Sequence, residues 1–439
     1  MDNRWALTGV LISGFPKSIL IKNGQIEAVL GPNESLPEDI YVKNCYGMSV
    51  SPARIDPHVH GRFPGGEQKE DPTSLSTASI YGGVGTAFLM PNTSPAITTV
   101  ESVASLFQTI EDAPLAANMK NKRPDYYVWF GASNTNIDII AEALALKQVI
   151  GVKVFLGSST GDLLVTDENI LRKIFTICAE HNSVVAVHCE DEDILKANRA
   201  KLGDNARVSD HHLIRSEDAE IESVKKALRL QKETGCRLYL CHLSTLEAIK
   251  LGYRAKQEGQ PVYIEVCSHH LILPDNYYKN EKETWRYKMN PPLRSITNML
   301  DLRQLLSFPD IIDCVGSDHA PHTVMEKKVT GYDNVPSGVP GVETAFSAIF
   351  YLVNRRDLGL NQFNSLIAEN AAEIFGLKSK GRIEPGYDAD LVIFNPNCLY
   401  EPTDTNMHSK CGWTPFQDPD RPLWGRISAT VIGGTIIEL

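Results

Sequence analysis

Short runs of apolar, β-branched residues recur along the middle of the chain and alternate with segments of helical periodicity. Most of these runs lack strict polar and apolar alternation, which is typical of strands buried on both faces. Eight runs are predicted strands: 47–55, 84–90, 126–131, 150–156, 183–187, 237–241, 262–266 and 311–316. Helices are predicted between them, for example over 167–181 and 217–234. This alternation predicts an α/β fold with a (β/α)8 TIM-type barrel over residues 51–376.

The two ends of the chain have a different pattern, with short apolar runs joined by turn residues. Asn23-Gly24 lies inside the run 18–30, and Gly433-Gly434 lies inside a similar run at 429–437. Such dipeptides are typical of hairpin turns. Neither end has enough strands for a stable sheet of its own. We therefore predict that residues 1–50 and 377–439 together form one small β-sandwich domain beside the barrel.

Composition excludes several classes of protein. The chain has 439 residues, of which 42% are hydrophobic and 22% charged, as in ordinary globular proteins. Its net charge of −11 argues against nucleic acid as a partner, because phosphate binding needs a basic face. No apolar run predicts a membrane span, and the N-terminus does not resemble a signal peptide. The nine scattered cysteines predict reduced thiols in a cytoplasmic protein, and self-association is left open.

Reactive side chains follow most of the predicted barrel strands at their C-terminal ends, the face that carries active sites in such barrels. These residues are Asp56, His58, His60, Arg62, Asn92, Lys153, His188, His242, His269, His270 and Asp318. His58 and His60 are two residues apart on a strand, so both imidazoles point the same way. Each histidine alone could be a core residue, and Asp318 alone could cap a helix. Imidazoles and a carboxylate at the ends of four strands together predict a metal site.

Lys153 leaves several interpretations open. An ammonium has no lone pair and cannot ligate a cation. Addition of CO2 to the neutral amine would give a carbamate, whose two oxygens could bridge two cations. Alternatively, Lys153 binds an anionic substrate, or its stem packs in the core while its head reaches water.

Two further segments bear on the site. Cys241 directly precedes His242, so strand alternation predicts that its side chain faces the helix layer. The segment 323–342 is rich in glycine, proline and charge, and it follows the last barrel strand. It is interpreted either as a lid over the barrel mouth or as an ordinary long loop.

Several motifs resemble those of the dihydroorotases of the amidohydrolase superfamily, and the resemblance covers nearly the whole chain. They are DPHVHGR at 56–62, MPNT at 90–93, GVKVF at 151–155, HCED at 188–191, CHLST at 241–245, NPPLR at 290–294, DHAPH at 318–322 and GYDAD at 386–390. Two positions depart from the family pattern. Phe63 stands where many relatives have an acidic residue, and Gly61 replaces a larger apolar residue.

The resemblance implies a binuclear zinc centre and a small-molecule substrate. The implied metal ligands are His58 and His60 with Asp318 for one Zn2+, His188 and His242 for the other, and N6-carboxylated Lys153 as the bridge. The implied reaction is the reversible hydrolysis of (S)-dihydroorotate to N-carbamoyl-L-aspartate in pyrimidine biosynthesis. Asp318 would carry the proton between the attacking water and the leaving nitrogen.

Dihydroorotate also has a carboxylate, which needs a cationic partner. Arg62 offers a planar fork suited to it, unless this arginine forms a structural salt bridge. The resemblance implies that Asn92, Asn290 and His322 add neutral hydrogen bonds to the substrate. Two alternatives remain open. One is another cyclic amidohydrolase, an allantoinase or a dihydropyrimidinase, and the other is an inactive homologue that serves as a scaffold.

Overall fold

The computed structural model describes residues 4–158, 163–418 and 421–439. In chain order its strands are β1 (Arg4–Ile12), β2 (Phe15–Lys22), β3 (Gln25–Leu30), β4 (Tyr41–Asn44), β5 (Ser49–Pro52), β6 (Arg54–Val59), β7 (Val84–Leu89), β8 (Asp125–Gly131), β9 (Val149–Phe155), β10 (Val184–His188), β11 (Arg237–Leu240), β12 (Val262–Cys267), β13 (Cys314–Gly316), β14 (Leu391–Tyr400), β15 (Leu423–Ile432) and β16 (Thr435–Glu438). Its α-helices are α1 (Pro72–Tyr81), α2 (Val100–Asp112), α3 (Ile140–Leu144), α4 (Glu168–Glu180), α5 (Glu192–Leu202), α6 (His211–Ile214), α7 (Glu217–Thr234), α8 (Leu246–Gln257), α9 (Ser268–Ile272), α10 (Ile296–Leu305), α11 (Val324–Lys327), α12 (Ala345–Asn354), α13 (Leu360–Asn364) and α14 (Asn370–Phe375). None of the described helices is both long and apolar enough to cross a membrane.

Strands β6 to β13 form one parallel sheet in sequence order. The sheet is nearly closed between its two ends by the buried pair Arg54 and Asp56. Arg54 Nη2 donates to the carbonyl of Val315 at 2.8 Å, and Asp56 Oδ1 accepts from the amide of Ser317 at 3.1 Å. The predicted (β/α)8 barrel is therefore confirmed, and its closing seam is made largely by side chains.

The two chain ends meet in a second sheet, as predicted. Its strand order is β16-β15-β14-β5-β1-β2-β3, with β4 also paired to β1. Strand β5 runs antiparallel to β14, with Val50 opposite Ile393, and so joins the N-terminal strands to the C-terminal strands. The turn between β2 and β3 is made by Asn23 and Gly24, both at positive φ (52° and 86°), as this hairpin type requires.

The run 47–55 was expected to be a single barrel strand, and this expectation is wrong. It contains two strands, because the hydrogen-bonding partners change at its middle. The amide of Ala53 donates to Asp390 of the outer sheet, whereas the amide of Arg54 donates to Gly83 of the barrel, both at 2.8 Å. Apolar character could not reveal this change, since both halves are buried. His58 therefore lies within strand β6 rather than after it.

Predicted helices coincide with observed ones where capping signals are clear. Helix α4 begins after Asp167, whose carboxylate accepts from the amides of Asn169 and Ile170. Helix α7 ends at Gly235, which has a φ of 72° in the left-handed region that glycine favours. These helices cover the predicted segments 167–181 and 217–234.

Aromatic side chains fill the barrel beneath the rim that carries the polar residues. Phe88 packs edge-to-face on Trp129 and Phe375, at ring-centroid distances of 6.3 and 4.9 Å. Trp129 Nε1 donates to the carbonyl of Pro57 at 3.0 Å, which ties this cluster to the strand that bears His58. The rim thus lies above a rigid apolar floor.

We predict that Phe88→Ala lowers the free energy of unfolding by about 3–5 kcal/mol, because it removes a fully buried ring and leaves a cavity. Phe15→Ala is the matched control, since Phe15 is 69% exposed, and we expect a change within about 0.5 kcal/mol. Denaturant unfolding followed by tryptophan fluorescence measures both. Equal effects of the two substitutions would contradict this account of the core.

Candidate active site

His58, His60 and Asp318 converge at one point of the barrel rim. Asp318 Oδ1 lies 3.1 Å from His60 Nε2 and 3.4 Å from His58 Nε2. All three residues are buried, and their potential ligand atoms lie within 4.8 Å of one another. Strand β6 supplies His58, the residue after its end is His60, and the segment after β13 supplies Asp318, so the closing seam of the barrel brings them together.

His188 and His242 form a second pair beside the first. His188 Nδ1 lies 3.0 Å from His242 Nε2, and the rings of His242 and His58 are 5.0 Å apart between centroids. The other nitrogen of His242, Nδ1, is buried and has no hydrogen-bond partner among the described residues. All five residues predicted at the ends of the first, fifth, sixth and eighth strands therefore face a shared centre.

Burial sets the protonation state of these imidazoles. Desolvation lowers the pKa of His58, His60 and His242 well below the ordinary value of 6.5, and nearby positive charge lowers it further for His58 and His60. Neutral imidazoles keep a lone pair, which is the form that ligates a cation. Burial also raises the pKa of Asp318, so its carboxylate accepts a proton more readily than an exposed aspartate.

Buried acceptors behind the histidines determine which nitrogen is left for a ligand. His58 Nδ1 lies 3.0 Å from Glu265 Oε1, and His188 Nε2 lies 2.9 Å from Glu190 Oε2. His60 Nδ1 donates to Asn92 Oδ1 at 2.7 Å. Such contacts orient metal-binding histidines and raise their basicity. These contacts leave Nε2 of His58, Nδ1 of His188 and Nε2 of His60 facing the shared centre.

Glu265 and Glu190 were not predicted from the sequence as site residues. Glu265 is a lone acid within the apolar strand β12, a signal that could have identified it. It also accepts from the hydroxyl of Tyr239 and from the amide of His242, and burial raises its pKa to about 7. Glu190 lies inside the recognised motif at 188–191 but was given no role. It pairs with Arg215, which lowers its pKa despite its burial.

Lys153 lies beneath this centre, fully buried on β9. Its Nζ donates to Cys241 Sγ at 3.0 Å, and no carboxylate lies within 4 Å of it in the described ranges. The prediction that Cys241 faces the helix layer is therefore wrong. The next residue, His242, has a φ of 37°, which breaks the strand alternation on which the prediction relied.

Arg62 lines the cavity above the histidines and is 6% exposed. Its Nε donates to the carbonyl of Pro321 at 3.0 Å, and its Nη2 lies 3.1 Å from His322 Nε2. Within the described part of the chain, it forms no ion pair within 4 Å. Burial lowers its pKa to about 10, which still leaves it protonated at neutral pH.

The other predicted substrate residues lie at different depths. Asn92 and Asn290 line the cavity, and Asn290 Oδ1 is buried without a partner among the described residues. His322 lies behind Arg62, where its Nε2 is also 3.1 Å from the carbonyl of Ser337. His319 faces away and contacts Glu70 at 3.1 Å. The segment 323–342 contributes Ser337 and Gly338 to the cavity wall.

The donor set fits a pair of divalent cations. Imidazole nitrogens and a carboxylate oxygen, which are ligands that zinc accepts, lie together at this centre: His242 Nε2 is 3.0 Å from His188 Nδ1, and Asp318 Oδ1 is 3.1 Å from His60 Nε2. The fold and this donor set define the class of protein: a (β/α)8-barrel enzyme with a candidate metal centre at the carboxyl ends of its strands.

Comparison with known proteins gives the family. Residues 49–415 match the sequence profile of the amidohydrolase family, and the chain belongs to that family as a cyclic amidohydrolase. It is 34% identical to a dihydroorotase of Methanosarcina acetivorans, over 92% of this chain and 85% of the relative. It is 31% identical to an allantoinase of Escherichia coli, over 95% and 90%. The solved structure of an L-hydantoinase from Arthrobacter aurescens superposes with a TM-score of 0.90 at 25% identity, covering 100% of this chain and 96% of the other.

We predict that Glu190→Gln weakens metal binding about 10- to 100-fold, because His188 loses the carboxylate that orients it. Competition with a chromogenic chelator measures the affinity. Asp193→Asn is the control, since Asp193 lies on the adjacent helix, is exposed and contacts none of the histidines. Unchanged affinity in folded Glu190→Gln would refute the role of this carboxylate.

Proposed function

We propose that this cyclic amidohydrolase is a zinc-dependent dihydroorotase, which interconverts (S)-dihydroorotate and N-carbamoyl-L-aspartate in de novo pyrimidine biosynthesis. The observation that carries the proposal is Arg62, a buried guanidinium at the cavity that has no carboxylate partner within 4 Å among the described residues. The structural salt bridge considered as its alternative role is therefore not seen in that part of the chain.

A buried, unpaired cation is unfavourable unless a ligand supplies the opposite charge. The carboxylate of dihydroorotate would do so, and the planar fork of Arg62 can bind it with two parallel hydrogen bonds. Allantoin and dihydrouracil have no ring carboxylate and would leave the guanidinium unpaired. This difference favours dihydroorotase among the activities for which the similar proteins are named.

Two zinc ions are the proposed cofactors. His58, His60 and Asp318 would hold one ion, His188 and His242 the other, and Lys153 as N6-carbamate would bridge them. Bound zinc would lower the pKa of water towards neutrality and polarise the amide carbonyl. The buried Nζ of Lys153 has no carboxylate within 4 Å in the described ranges, and a carbamate would replace its positive charge by a negative one.

The chain's own residues would bind the ring and move the proton. Arg62 would clamp the substrate carboxylate, and Asn290 Oδ1 would accept from a ring N–H, since it lacks a partner among the described residues. Asp318, with its raised pKa, would take a proton from the attacking water and deliver it to the leaving amide nitrogen. In the reverse direction the same residue would deprotonate the nitrogen that closes the ring.

We also propose a cytoplasmic location and an active enzyme rather than a scaffold. All nine cysteines are free thiols and eight of them are buried, which supports a cytoplasmic location. The inactive-scaffold alternative is disfavoured, because every implied metal ligand is present in the sequence and the histidines face a shared centre.

Side-by-side assays with dihydroorotate, allantoin and dihydrouracil test the activity. We expect turnover of dihydroorotate with kcat/KM at least about 100-fold higher than for the two neutral ureides, since they forgo the Arg62 ion pair. Metal analysis should find about two zinc ions per chain, and removing them with a chelator should abolish turnover. Stoichiometric zinc without turnover of any of the three would instead support a scaffold.

We predict that Arg62→Met raises KM for dihydroorotate about 100-fold or more, because a buried ion pair with the substrate is lost. Zinc content should stay unchanged, since the hydrogen-bond partners of Arg62 are Pro321 and His322, which are not proposed zinc ligands. Arg207→Met is the control, because Arg207 is exposed at the surface. Steady-state kinetics in both directions provide the measurement, and an unchanged KM would favour a neutral substrate.

We predict that Asp318→Asn lowers kcat about 10²- to 10⁴-fold, because an amide cannot carry the proton. Asp318 is also a proposed ligand, so zinc content must be measured on the same sample. A variant that retains zinc and full kcat would exclude Asp318 as the proton carrier.

A further inference from the structure

Three residues in the segment after the last barrel strand lie next to Arg62 at the cavity. We call Pro336, Ser337 and Gly338 the roof segment. Ser337 and Gly338 line the cavity, and Gly338 has a φ of 136°. A Cβ on Gly338 would lie 3.2 Å from Arg62 Nη2 and 2.5 Å from the carbonyl oxygen of Ala320. The roof segment therefore packs directly on the guanidinium, and the space between them cannot hold an additional methyl group.

Lys327 holds this segment from behind. Its Nζ donates to the carbonyls of Pro336 and Gly338, both at 2.9 Å, and to the carbonyl of Lys288 at 3.0 Å. The amide of Gly338 in turn donates to the same Lys288 carbonyl at 2.9 Å. An ammonium has three donors, so these three carbonyls saturate it.

The burial of Lys327 makes this arrangement unusual. The side chain is fully buried, and no carboxylate lies within 4 Å of its Nζ in the described ranges. Lysine is rarely buried without an ion pair, because desolvation of the ammonium is costly. A surface lysine would serve ordinary loop packing equally well. The desolvation cost of the Lys327 ammonium is explained if these hydrogen bonds keep the roof segment in the position that shapes the cavity.

We infer that Lys327 is a positioning residue for substrate binding, because it fixes the roof segment against Arg62 and so keeps the guanidinium aimed at the substrate carboxylate. The inference rests on the proposed function, since it assigns Lys327 to the recognition of the same carboxylate. Lys327 lines no part of the cavity, so it acts only through the segment that it holds.

Contacts around Arg62 show how a shift of the roof segment would reach it. His322 Nε2 lies 3.1 Å from Arg62 Nη2 and 3.1 Å from the carbonyl of Ser337, so one imidazole touches both. Burial and the charges of Arg62 and Lys327 lower the pKa of His322 well below 6.5, which keeps it neutral. Movement of Ser337 would therefore displace the imidazole on which the guanidinium packs.

The first test is Lys327→Met, which keeps the apolar stem and removes all three donors. We expect KM for dihydroorotate to rise about 10- to 100-fold, as for a misplaced binding group, with kcat and zinc content nearly unchanged. Lys328→Met is the matched control. Lys328 is the next residue and is exposed, and its Nζ lies 5.1 Å from the centroid of the Trp285 ring. We expect its kinetics to equal those of the wild type.

A second variant alters the contact between the roof segment and Arg62 without changing Lys327. Gly338→Ala places a methyl group against Arg62 and Ala320 while leaving Lys327 intact. We expect the same rise in KM without a fall in kcat. Should Lys327→Met fail to fold, Lys327→Gln, which retains two donors, decides the question; Gly338→Ala shows only that a displaced roof segment raises KM.

Hydrogen–deuterium exchange distinguishes the inference from the proposed function. Amides of residues 329–340 should exchange faster in Lys327→Met than in the wild type or in Lys328→Met. Absence of dihydroorotate turnover in the wild type would end the proposed function, and the exchange result would still show whether Lys327 holds the roof segment. Folded Lys327→Met with wild-type KM, or with wild-type exchange, would overturn the inference.

Discussion

Exclusion of water from the barrel rim is the constraint on which the site depends. In that environment a charged group must be paired, neutralised or left for a ligand to satisfy. The imidazoles are neutralised by burial, and Glu190 is paired with Arg215. Arg62 and Lys153 form no ion pair within 4 Å in the described ranges. Under the proposed function, a substrate carboxylate would pair with Arg62 and a carbamate would replace the charge of Lys153. The buried ammonium of Lys327, behind the roof segment, is instead satisfied by three backbone carbonyls.

The same constraint explains the layers behind the site. His58, His60 and His188 each hydrogen-bond a side-chain oxygen with one ring nitrogen, so only the other nitrogen is free to face the centre. Glu265 on β12 serves the same purpose for two other strands, because it contacts His58 of β6, Tyr239 of β11 and the amide of His242 just after β11. The geometry of the rim is thus set by buried carboxylates one layer further in.

Much of the architecture was predictable because strand and helix patterns are local. Eight buried runs, two glycine-containing hairpin turns and capped helices such as α7 are visible in the residue order alone. Predictions from the sequence were wrong where the local structure depends on a hydrogen-bonding partner that is distant in the chain. The run 47–55 divides because Ala53 pairs with Asp390 and Arg54 with Gly83, residues far apart in the chain.

The sequence by itself determined the barrel, the joining of the two ends and the residue types that gather at the rim. Strand alternation and side-chain chemistry are properties of neighbouring residues, so they can be read along the chain. Only the tertiary structure decided that Cys241 turns inward to Lys153, that Glu265 supports His58, and that Lys327 binds the roof segment beside Arg62. The reason is physical: the direction of a side chain at a strand end, and the partner of a buried charge, depend on backbone angles and contacts that no local pattern encodes.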